Sequence, residues 1–555
     1  MRAGTPRGLR DILGDEALLR ERISMTVRKT FSDHGYLPVE TPLLEDWDVM
    51  HRAGRIKGSP FRLFDSDGQL LMLRPDLTMP IARLAATRLG NSDGPLRLRY
   101  EAPVVREQDS LKGQPRQFTQ IGVELIGGDG CASEVEVVAL LAETLETLEV
   151  GAWRIVCGSV APISAALEAC APSAEFREQA EEFVHASDLV GLDELIAEAG
   201  LTGPCARALG RIPRVGGGVE ALDEVDALLA AVDVPVEKRG VDELRALASS
   251  LVGTPAEDRI LFDFSIVNSF DYYTGLIFKA YCDGVAASLA SGGRYDSLLT
   301  NFGMSNTAAC GFALSLERLQ EVLGSAGSSG IATIGARVGE RPLRIAIPKG
   351  SLFGDTVSVL EAAGLPTAEL KDVGRKLTVT AGDVEYIIVR AQDAPAFVGF
   401  GGADCGICGF DSLVEAELDL LQLVDLGFGA CRFIVAEPRS AAGAAEKAYA
   451  WRGTVRVATK YPRITQAYYD RIGQQVDIIQ LHGNIELGPL VGMTDRIVDI
   501  TATGTTLREN DLVIVDDVMS CTARFFAGPA AFRCDKRIRD LSKRLAEVVE
   551  GSNAS

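Results

Sequence analysis

The stretch Ile-Val-Asp-Ile-Thr-Ala-Thr-Gly-Thr-Thr, residues 497–506, decides how the C-terminal half of this chain folds. A short apolar run that ends in hydroxyls and a glycine predicts a strand leading into the first turn of a helix. Ligands of α/β sheets bind where strands end, and the amides and hydroxyls of such a turn suit a phosphate. We expect Asp499 to bind the hydroxyls of a sugar; an ordinary N-capped helix is the alternative.

Similar apolar runs recur on both sides of this stretch, separated by segments with helical spacing. This rhythm predicts an α/β domain with a parallel sheet. The runs lie at residues 343–347, 386–389, 433–435, 455–458, 476–479, 497–500 and 512–515.

A second acidic stretch competes for the phosphoribosyl site. Asp516 and Asp517 follow the run at 512–515 and resemble the acidic pair by which many phosphoribosyltransferases hold phosphoribosyl pyrophosphate. In those loops a Thr-Gly pair stands four and five residues after the second acid. Counting from Asp517 gives Cys521 and Thr522, without the glycine that close backbone approach needs. Counting from Asp499 gives Thr-Gly, so we favour the upstream loop.

The most linker-like composition lies at residues 324–330, Gly-Ser-Ala-Gly-Ser-Ser-Gly. We therefore expect one domain over residues 1–323, a linker over 324–341 and a second domain over 342–555.

The first domain is expected to be α+β with an antiparallel sheet. A helix is predicted over 17–31, two antiparallel strands over 96–105 and 117–126, and a helix capped by Ser133 and Glu136. Residues 165–255 are rich in Ala, Leu and Glu, which predicts a helical insertion. Its glycines at 216–218 are expected to form a loop between helices.

Charge and cysteine usage restrict the classes of function. The chain has 56 Lys plus Arg and 77 Asp plus Glu, a net charge of −21, which disfavours nucleic acid. It shows neither a signal-type opening segment nor an apolar run of about 18 residues, so we expect a cytoplasmic protein that does not bind membranes. The 11 scattered cysteines are expected to be small buried side chains. Cys405 and Cys408 form a C-x-x-C pair, which we interpret as part of a buried strand rather than a metal or redox site.

From residue 343 almost to its end the chain resembles the short form of ATP phosphoribosyltransferase, the first enzyme of histidine biosynthesis. The matching stretches include Ile-Ala-Ile-Pro-Lys-Gly at 345–350, Gly-Arg-Lys-Leu at 374–377, 389–395, 402–411, Val-Ala-Thr-Lys-Tyr-Pro at 457–462, 483–490 and the Asp499 loop. The resemblance implies a two-lobed fold like that of periplasmic binding proteins. It also implies that N1 of ATP attacks C1 of phosphoribosyl pyrophosphate, and that pyrophosphate leaves with Mg²⁺ bound to the substrates rather than held directly by protein ligands.

The same resemblance assigns candidate residues to the substrates. Lys349 and Arg375 are expected at the pyrophosphate and the ATP phosphates, and Glu486 and Asp499 at the ribose hydroxyls. Arg390 and Asp404 are expected among the substrate-binding residues. The 5-phosphate is assigned to Thr501, Thr503, Gly504, Thr505 and Thr506.

Residues 1 to about 323 resemble the class II histidyl-tRNA synthetase catalytic core. The resemblance rests on 40–42, 73–78, 106–107, 117–124, 270–275, 291–296 and 311–319. Asn268 stands where a synthetase is expected to carry a catalytic Arg, and no anticodon-binding domain follows residue 319. A histidine pocket remains, and its implied residues are Asp76, Thr78, Arg106, Gln120, Glu124, Tyr272 and Tyr273.

The two resemblances together imply a fusion of the enzyme's regulatory subunit, which senses histidine, with its catalytic subunit. We expect ATP and phosphoribosyl pyrophosphate as substrates, histidine as effector and a homo-oligomer. The alternatives are a histidyl-tRNA synthetase-like protein with an appended non-catalytic solute-sensing domain, and a non-enzymatic two-lobed sensor.

Overall fold

The computed structural model describes residues 4–53, 60–90, 94–107, 115–266, 273–283, 285–304, 307–325, 341–501 and 504–553. The chain forms two compact units. The N-terminal unit comprises Met1–Arg341 with Arg533–Lys536, and the C-terminal unit comprises Pro342–Phe532 with Arg537–Ser555. Most of the predicted linker, residues 326–340, lies outside the described part of the chain. In that described part, no helix is long and apolar enough to cross a membrane.

The N-terminal unit is built on a nine-stranded mixed sheet with the order β1-β5-β6-β12-β11-β10-β7-β9-β8, and it also has a three-stranded sheet, β2-β4-β3. Where the structure describes this unit, its strands are β1 Leu37–Pro38, β2 Leu44–Asp46, β3 Arg62–Phe64, β4 Leu70–Leu73, β5 Leu96–Val105, β6 Gln117–Ile126, β7 Trp153–Ser159, β8 Gly216–Gly217, β9 Ile260–Asp263, β10 Leu276–Cys282, β11 Ala290–Arg294 and β12 Ala309–Ser315.

The predicted antiparallel pair β5 and β6 is confirmed with the predicted bounds. The expected antiparallel sheet is present over most of its strand pairs, but the sheet is mixed, because β1 runs parallel to β5 and β7 runs parallel to β9. The glycines at 216–218 do not form a plain loop, since two of them make β8, which pairs with β9.

The α-helices in the described residues of this unit include the predicted helical insertion, which begins at α5 and ends at α10. They are α1 Gly14–Asp33, α2 Trp47–Ala53, α3 Thr78–Leu84, α4 Gly130–Thr147, α5 Ala161–Cys170, α6 Ala174–His185, α7 Leu189–Glu198, α8 Gly203–Arg211, α9 Glu220–Ala230, α10 Val241–Ser250, α11 Asp296–Asn301 and α12 Leu316–Ser325. Buried Val137, Leu141 and Leu145 of α4 and buried Ile121 of β6 belong to the main core.

The predicted capping box of α4 is wrong. Ser133 lies inside the first turn, where its N–H donates to the Asp129 carbonyl. The extended residue before the helix is Asp129, with φ −72° and ψ 124°. An N-cap needs this extended backbone, so a Ser already in the helix does not fill that position.

The C-terminal unit contains two mixed sheets, one six-stranded and one five-stranded. Their orders are β14-β15-β13-β16-β23-β17 and β20-β19-β21-β18-β22. The strands are β13 Leu343–Pro348, β14 Thr378–Ala381, β15 Val384–Val389, β16 Cys405–Gly409, β17 Leu421–Asp425, β18 Cys431–Pro438, β19 Val455–Thr459, β20 Val476–Gln480, β21 Arg496–Thr501, β22 Leu512–Cys521 and β23 Ala523–Ala527. We call the parts built on these sheets the first and the second lobe.

Each of the seven predicted strands is present, but the expected all-parallel arrangement is wrong. β18 runs antiparallel to both β21 and β22, and β23 runs antiparallel to β16 and β17. Apolar runs of this length suit a buried strand in either direction, which is why the pattern did not reveal the reversals.

The helices of the C-terminal part are α13 Phe353–Ala362, α14 Ala394–Gly399, α15 Phe410–Ala416, α16 Ala444–Arg452, α17 Pro462–Arg471, α18 Leu487–Leu490, α19 Thr505–Glu509, α20 Pro529–Cys534 and α21 Lys536–Asn553. The last helix, α21, has an apolar face, since Ile538, Leu541 and Leu545 are buried. Arg544 donates to the Ala363 carbonyl at 2.7 Å, which ties α21 to the first lobe.

Candidate functional site

Two of the predicted cations lie at the carboxyl-terminal edge of the first lobe's sheet. Lys349 directly follows β13 and Arg390 directly follows β15, and the two strands are parallel neighbours. The Lys349 N–H donates to the Val389 carbonyl at 2.7 Å, so the strand ends are held side by side. Both side chains are exposed. Two cations therefore border the place where ligands of such sheets bind.

Arg375 joins this edge from another segment, while Asp404 does not. Arg375 is exposed and stands two residues before Leu377, whose carbonyl accepts from the Ile388 N–H at the end of β15. Asp404 precedes β16 at the opposite edge of the sheet. Its buried carboxylate accepts from the N–H of Arg344 at 2.9 Å and from the guanidinium of Arg344 at 3.2 Å. Asp404 therefore lies at the other end of the strands from Lys349 and Arg390, and we leave it out of the proposed substrate site.

In the second lobe the structure brings Asp499 together with Glu486 and with a cation that sequence reasoning had not singled out, Lys460. Asp499 lies in β21. The residue before it, Val498, pairs with Thr459, the last residue of β19, and Lys460 follows Thr459 directly. Burial raises the pKa of Asp499 to about 6. The Ile500 N–H and Lys460 oppose this rise, whereas the charge of Glu486 adds to it. The carboxylate is thus poised to gain or lose a proton near neutral pH.

The loop after β21 has the turn that the sequence predicted. The Thr501 hydroxyl accepts from the Gly504 N–H at 3.0 Å. Gly504 has φ +70°, in the left-handed region that favours glycine, and α19 begins directly after it. Thr506 is exposed on this short helix. Thr503 lies outside the described residues, as does the side chain of Thr505.

Tyr461 links the two lobes of the C-terminal unit beside these acids, and sequence reasoning missed it. It stands two residues after the end of β19, is 6% exposed, and interacts with Gln392 and Asp411 of the first lobe and with Asp499 of the second. Burial raises the pKa of its hydroxyl, and the charges of Asp411 and Asp499 add to this. The signal in the sequence was its place in the quoted stretch Val-Ala-Thr-Lys-Tyr-Pro at 457–462, shortly after a predicted strand. The carboxyl-terminal edges of the two sheets therefore meet at Tyr461.

A second cluster lies in the N-terminal unit around Glu124, which is 1% exposed on β6. Its carboxylate accepts hydrogen bonds from Thr78 at 2.9 Å, from Tyr100 at 3.3 Å and from Tyr295. Burial nevertheless raises the pKa of Glu124 to about 7, because these hydroxyls only partly offset desolvation. Sequence reasoning missed Tyr100 and Tyr295 as members of the cluster, although Tyr295 stood in a quoted motif.

Two glycines leave room for this cluster. A Cβ on Gly311 would stand 1.9 Å from the Glu124 carboxylate, and one on Gly122 would stand 2.5 Å from the Tyr100 hydroxyl. Side chains at these positions would overlap the groups already there. The cluster therefore requires glycine, which has no side chain, at these positions of β6 and β12.

The other predicted residues of this pocket lie near it, with one outside the described chain. Buried Asp76 accepts from the Met79 N–H at 3.1 Å, and its pKa is raised by burial against the charge of Arg106. Arg106 donates to the Pro75 carbonyl at 2.8 Å. The Gln120 amide oxygen is buried without a hydrogen-bond partner. Tyr273 packs against the core cluster that contains Tyr100. Tyr272 lies outside the described residues, as does Asn268.

Comparison with known proteins assigns both parts of the chain. The family model of histidyl-tRNA synthetase matches residues 8–319, more than half of the chain, and that of ATP phosphoribosyltransferase matches residues 390–547. The ATP phosphoribosyltransferase of Rubrobacter xylanophilus is 51% identical over 193 residues, which cover 35% of this chain and 89% of that protein. The chain belongs to the ATP phosphoribosyltransferase family.

Its N-terminal part is the regulatory domain of this family, with a histidyl-tRNA synthetase-like fold. The ATP phosphoribosyltransferase regulatory subunit of Moorella thermoacetica is 35% identical over 330 residues, 59% of this chain and 84% of that protein. A crystal structure described as an ATP phosphoribosyltransferase regulatory subunit/histidyl-tRNA synthetase from Bacillus halodurans matches with a TM-score of 0.54 and 25% identity, over 70% of this chain and 93% of that one. The protein is thus a fused regulatory and catalytic ATP phosphoribosyltransferase of histidine biosynthesis.

In the phosphoribosyltransferase domain the competing acids have structural roles. Asp516 and Asp517 lie in the middle of β22, an edge strand, and not in a loop before a helix. Asp517 pairs with Arg432 at 2.9 Å, and Asp516 accepts from the Tyr468 hydroxyl at 2.6 Å. This arrangement supports the choice of the upstream loop.

The C-x-x-C pair of the phosphoribosyltransferase domain lies in a buried strand, as interpreted from the sequence. Cys405 and Cys408 both belong to β16 and are 0% exposed. Residues three apart on a strand point to opposite faces, so the two sulfurs do not converge on one ion. In the described part of the chain, no group of three or more His, Cys, Asp or Glu is arranged to hold a metal ion.

Proposed function

We propose that the two lobes of the C-terminal unit bind phosphoribosyl pyrophosphate and ATP between the facing edges of their sheets, where N1 of ATP displaces pyrophosphate from C1 of the ribose. The observation that carries this proposal is the group formed by Asp499, Glu486 and Lys460 beside the Thr501–Gly504 turn. Carboxylates accept sugar hydroxyls, and a turn of amides and hydroxyls accepts a phosphate. The carboxylates and the turn together can thus bind both the sugar hydroxyls and the phosphate of a ribose phosphate.

The exposed cations of the first lobe supply the rest of the chemistry. The transition state carries positive charge on the ribose ring while negative charge builds up on the departing pyrophosphate. Lys349, Arg375 and Arg390 stabilise that negative charge and orient the ATP phosphates. The carboxylates of Glu486 and Asp499 hold the ribose hydroxyls and lie near the ring where positive charge develops. No strong base is required, because N1 of ATP attacks as a neutral nitrogen.

The donor set also fits a substrate-borne Mg²⁺. This ion prefers oxygen ligands and usually keeps several waters while it binds one or two carboxylates together with phosphates. Glu486 and Asp499 are carboxylates beside the proposed ribose site, so they would contact the water ligands of the ion from the sugar side while the substrates bind the ion directly. The bound ion supplies additional positive charge to the leaving pyrophosphate.

For the N-terminal unit we propose a histidine sensor. The buried acids Asp76 and Glu124, the hydroxyl of Thr78 and the unpartnered amide oxygen of Gln120 support it, because an amino acid with an imidazole ring offers N–H donors to each. Arg106, Tyr272 and Tyr273 complete the proposed set. Feedback then requires a coupling free energy of about 1–3 kcal/mol between effector and substrate sites.

The remaining parts of the proposal concern the whole protein. We propose a two-lobed catalytic fold like that of periplasmic binding proteins, supported by the two sheets joined through two connections. We also propose a homo-oligomer in the cytoplasm. The eleven cysteines are scattered along the chain, a usage that supports a reducing compartment.

The test is turnover of the purified full chain with ATP, phosphoribosyl pyrophosphate and Mg²⁺ across a histidine titration, with pyrophosphate removed enzymatically. We expect formation of phosphoribosyl-ATP that histidine suppresses. Turnover that is indifferent to histidine would refute the sensor and keep the catalytic proposal. Absence of product would refute the catalytic proposal, and histidine-dependent exchange of pyrophosphate into ATP would then favour a synthetase.

A further inference from the structure

The two lobes of the catalytic unit are joined by two short connections that lie side by side. The chain passes from the first lobe to the second between β17 and β18, and it returns between β22 and β23. The connections are bonded to each other, because the Ala523 N–H donates to the Phe428 carbonyl and the Leu426 N–H donates to the Ala523 carbonyl, both at 2.9 Å. Movement of one lobe against the other must change the backbone here. We call residues 426–431 and 521–523 the hinge.

A pair of cysteines occupies both strands of this hinge. Cys431 is the first residue of β18, Cys521 is the last residue of β22, and the two are direct partners in the antiparallel ladder. Direct partners lie about 4.5–5.5 Å apart between Cα atoms, with side chains on the same face. A disulfide requires a Cα separation of roughly 4.4–6.8 Å. The backbone therefore already has a spacing that a disulfide accepts.

The two thiols also differ in exposure and in pKa, as the attacking and the resolving thiol of a redox pair do. Cys431 is half-buried, whereas Cys521 is 2% exposed, and both belong to the core cluster around Phe433. Interaction between the two sulfurs lowers the pKa of Cys431 and raises that of Cys521, and the deeper burial of Cys521 adds to its rise. The more accessible sulfur is thus the one with more thiolate character.

We propose that Cys431 and Cys521 form a redox-sensitive thiol pair that closes to a disulfide across the hinge and thereby slows the phosphoribosyltransferase reaction. The catalytic part of this inference rests on the proposed function of the cleft. In a compartment that keeps thiols reduced, disulfides form transiently and serve catalysis or redox sensing.

The reaction needs a low-molecular-weight disulfide as oxidant. The Cys431 thiolate attacks one sulfur of that disulfide, forms a mixed disulfide and releases one thiolate. Cys521 then loses its proton to solvent and attacks the Cys431 sulfur, which releases the second small thiolate. The two protein thiols give up two electrons and two protons, and one small disulfide becomes two small thiols.

The location of the pair connects this bond to turnover. The proposed site takes cations from the first lobe and acids from the second, so catalysis needs the lobes to adjust at the hinge. The Phe410 N–H donates to the Thr522 carbonyl at 3.0 Å, directly beside Cys521. That contact ties the start of α15, which carries Asp411, to the returning strand. A covalent bond between β18 and β22 at this point restrains the same backbone.

The test incubates the full chain with oxidised glutathione, alkylates the remaining thiols and maps linked peptides by mass spectrometry. We expect a peptide linking Cys431 to Cys521, a fall in turnover of about fivefold or more, and recovery with dithiothreitol. Cys431→Ser should form no such link and should keep its turnover during oxidation. Cys521→Ser is the second variant, and Cys131→Ser, an exposed thiol of the N-terminal unit, is the matched control that should respond like the unchanged chain.

A second thiol pair provides the discriminating outcome. Cys170 of α5 and Cys205 of α8 also lie close enough for their sulfurs to interact, and peptide mapping separates the two links. A link confined to Cys170 and Cys205, the absence of any link, or inactivation of Cys431→Ser by the oxidant would overturn the proposal. Mapping does not depend on activity, so a chain that forms the link but makes no product when reduced would refute the catalytic assignment and not the thiol pair.

Discussion

The substitution Asp499→Asn is expected to stabilise the protein while it removes activity. Burial raises the pKa of this carboxyl from 3.8 to about 6, so the folded chain binds the proton more tightly than the unfolded chain does. The favourable contribution of the protonated acid is complete below about pH 4 and is lost as the pH rises through 6. Above that pH the Asp499 carboxylate is ionised in the folded chain, and a neutral group at this position would make the folded state more stable.

The size of the effect follows from the shift. About two pKa units at about 1.4 kcal/mol each correspond to about 3 kcal/mol. Because Asp499 is partly exposed, solvent screening reduces this to about 1–2 kcal/mol. An amide of the same shape still accepts from the Ile500 N–H and carries no charge to desolvate. For a unit of this size the gain corresponds to a rise in melting temperature of roughly 3–6 °C at pH 8.

The assay is thermal unfolding of the full chain from about pH 4 to about pH 8, together with kcat/KM for phosphoribosyl pyrophosphate. We expect the stability gain to grow through this range and kcat/KM to fall about a hundredfold, because two hydrogen bonds to a charged acceptor are weakened. Asp477→Asn, an exposed acid on β20 of the same sheet, is the matched control and should change neither quantity. A stability gain that is equal at both ends of the pH range, or a variant that keeps its kcat/KM, would refute the reasoning.

Three further substitutions test the two sites. Lys460→Met should move the pH midpoint for phosphoribosyl pyrophosphate binding upward, because it removes a charge that lowers the pKa of Asp499; an unchanged midpoint in a binding titration would contradict this. Glu124→Gln should raise the histidine concentration for half inhibition at least about tenfold, since the carboxylate that anchors the pocket is lost; inhibition curves that superimpose would speak against the sensor. Gly311→Ala should destabilise the chain by about 2 kcal/mol or more in urea unfolding, whereas Gly151→Ala, with nothing within 4 Å of the added carbon, should have little effect.

Local patterns predicted the elements more reliably than their partners. The strands β5 and β6 were predicted with their observed bounds because alternation and a polar loop are visible within one short segment. The predicted start of α4 was wrong, because the Ser-x-x-Glu pattern at Ser133 does not show which residue has the extended backbone of an N-cap. The reversed direction of β18 was invisible, since an apolar run is compatible with either direction.

The residues of the candidate sites also divide into those that were predicted from the sequence and those that were missed. Asp499 was found from its place in a predicted strand, whereas Lys349 and Arg390 were assigned by the family resemblance; the structure puts Lys349 and Arg390 directly after β13 and β15, and Asp499 in β21. Tyr100 and Tyr461 were missed because their partners, Glu124 and Gln392, come from distant parts of the chain. Such contacts depend on the packing of strands and lobes and cannot be recognised from the spacing of residues within one segment.

By itself the sequence determined that the chain combines two fold classes, which strands carry the chemistry, and that its substrates must be bound by local loops rather than by a general positive charge. The structure alone decided that Asp404 is held by Arg344 at the opposite edge of its sheet, that Asp499 is buried enough to titrate near pH 6, and that Cys431 faces Cys521 across the hinge. The physical reason is that residue type and spacing act along the chain, whereas burial, ion pairing and strand partnership depend on segments that meet only when the chain has folded.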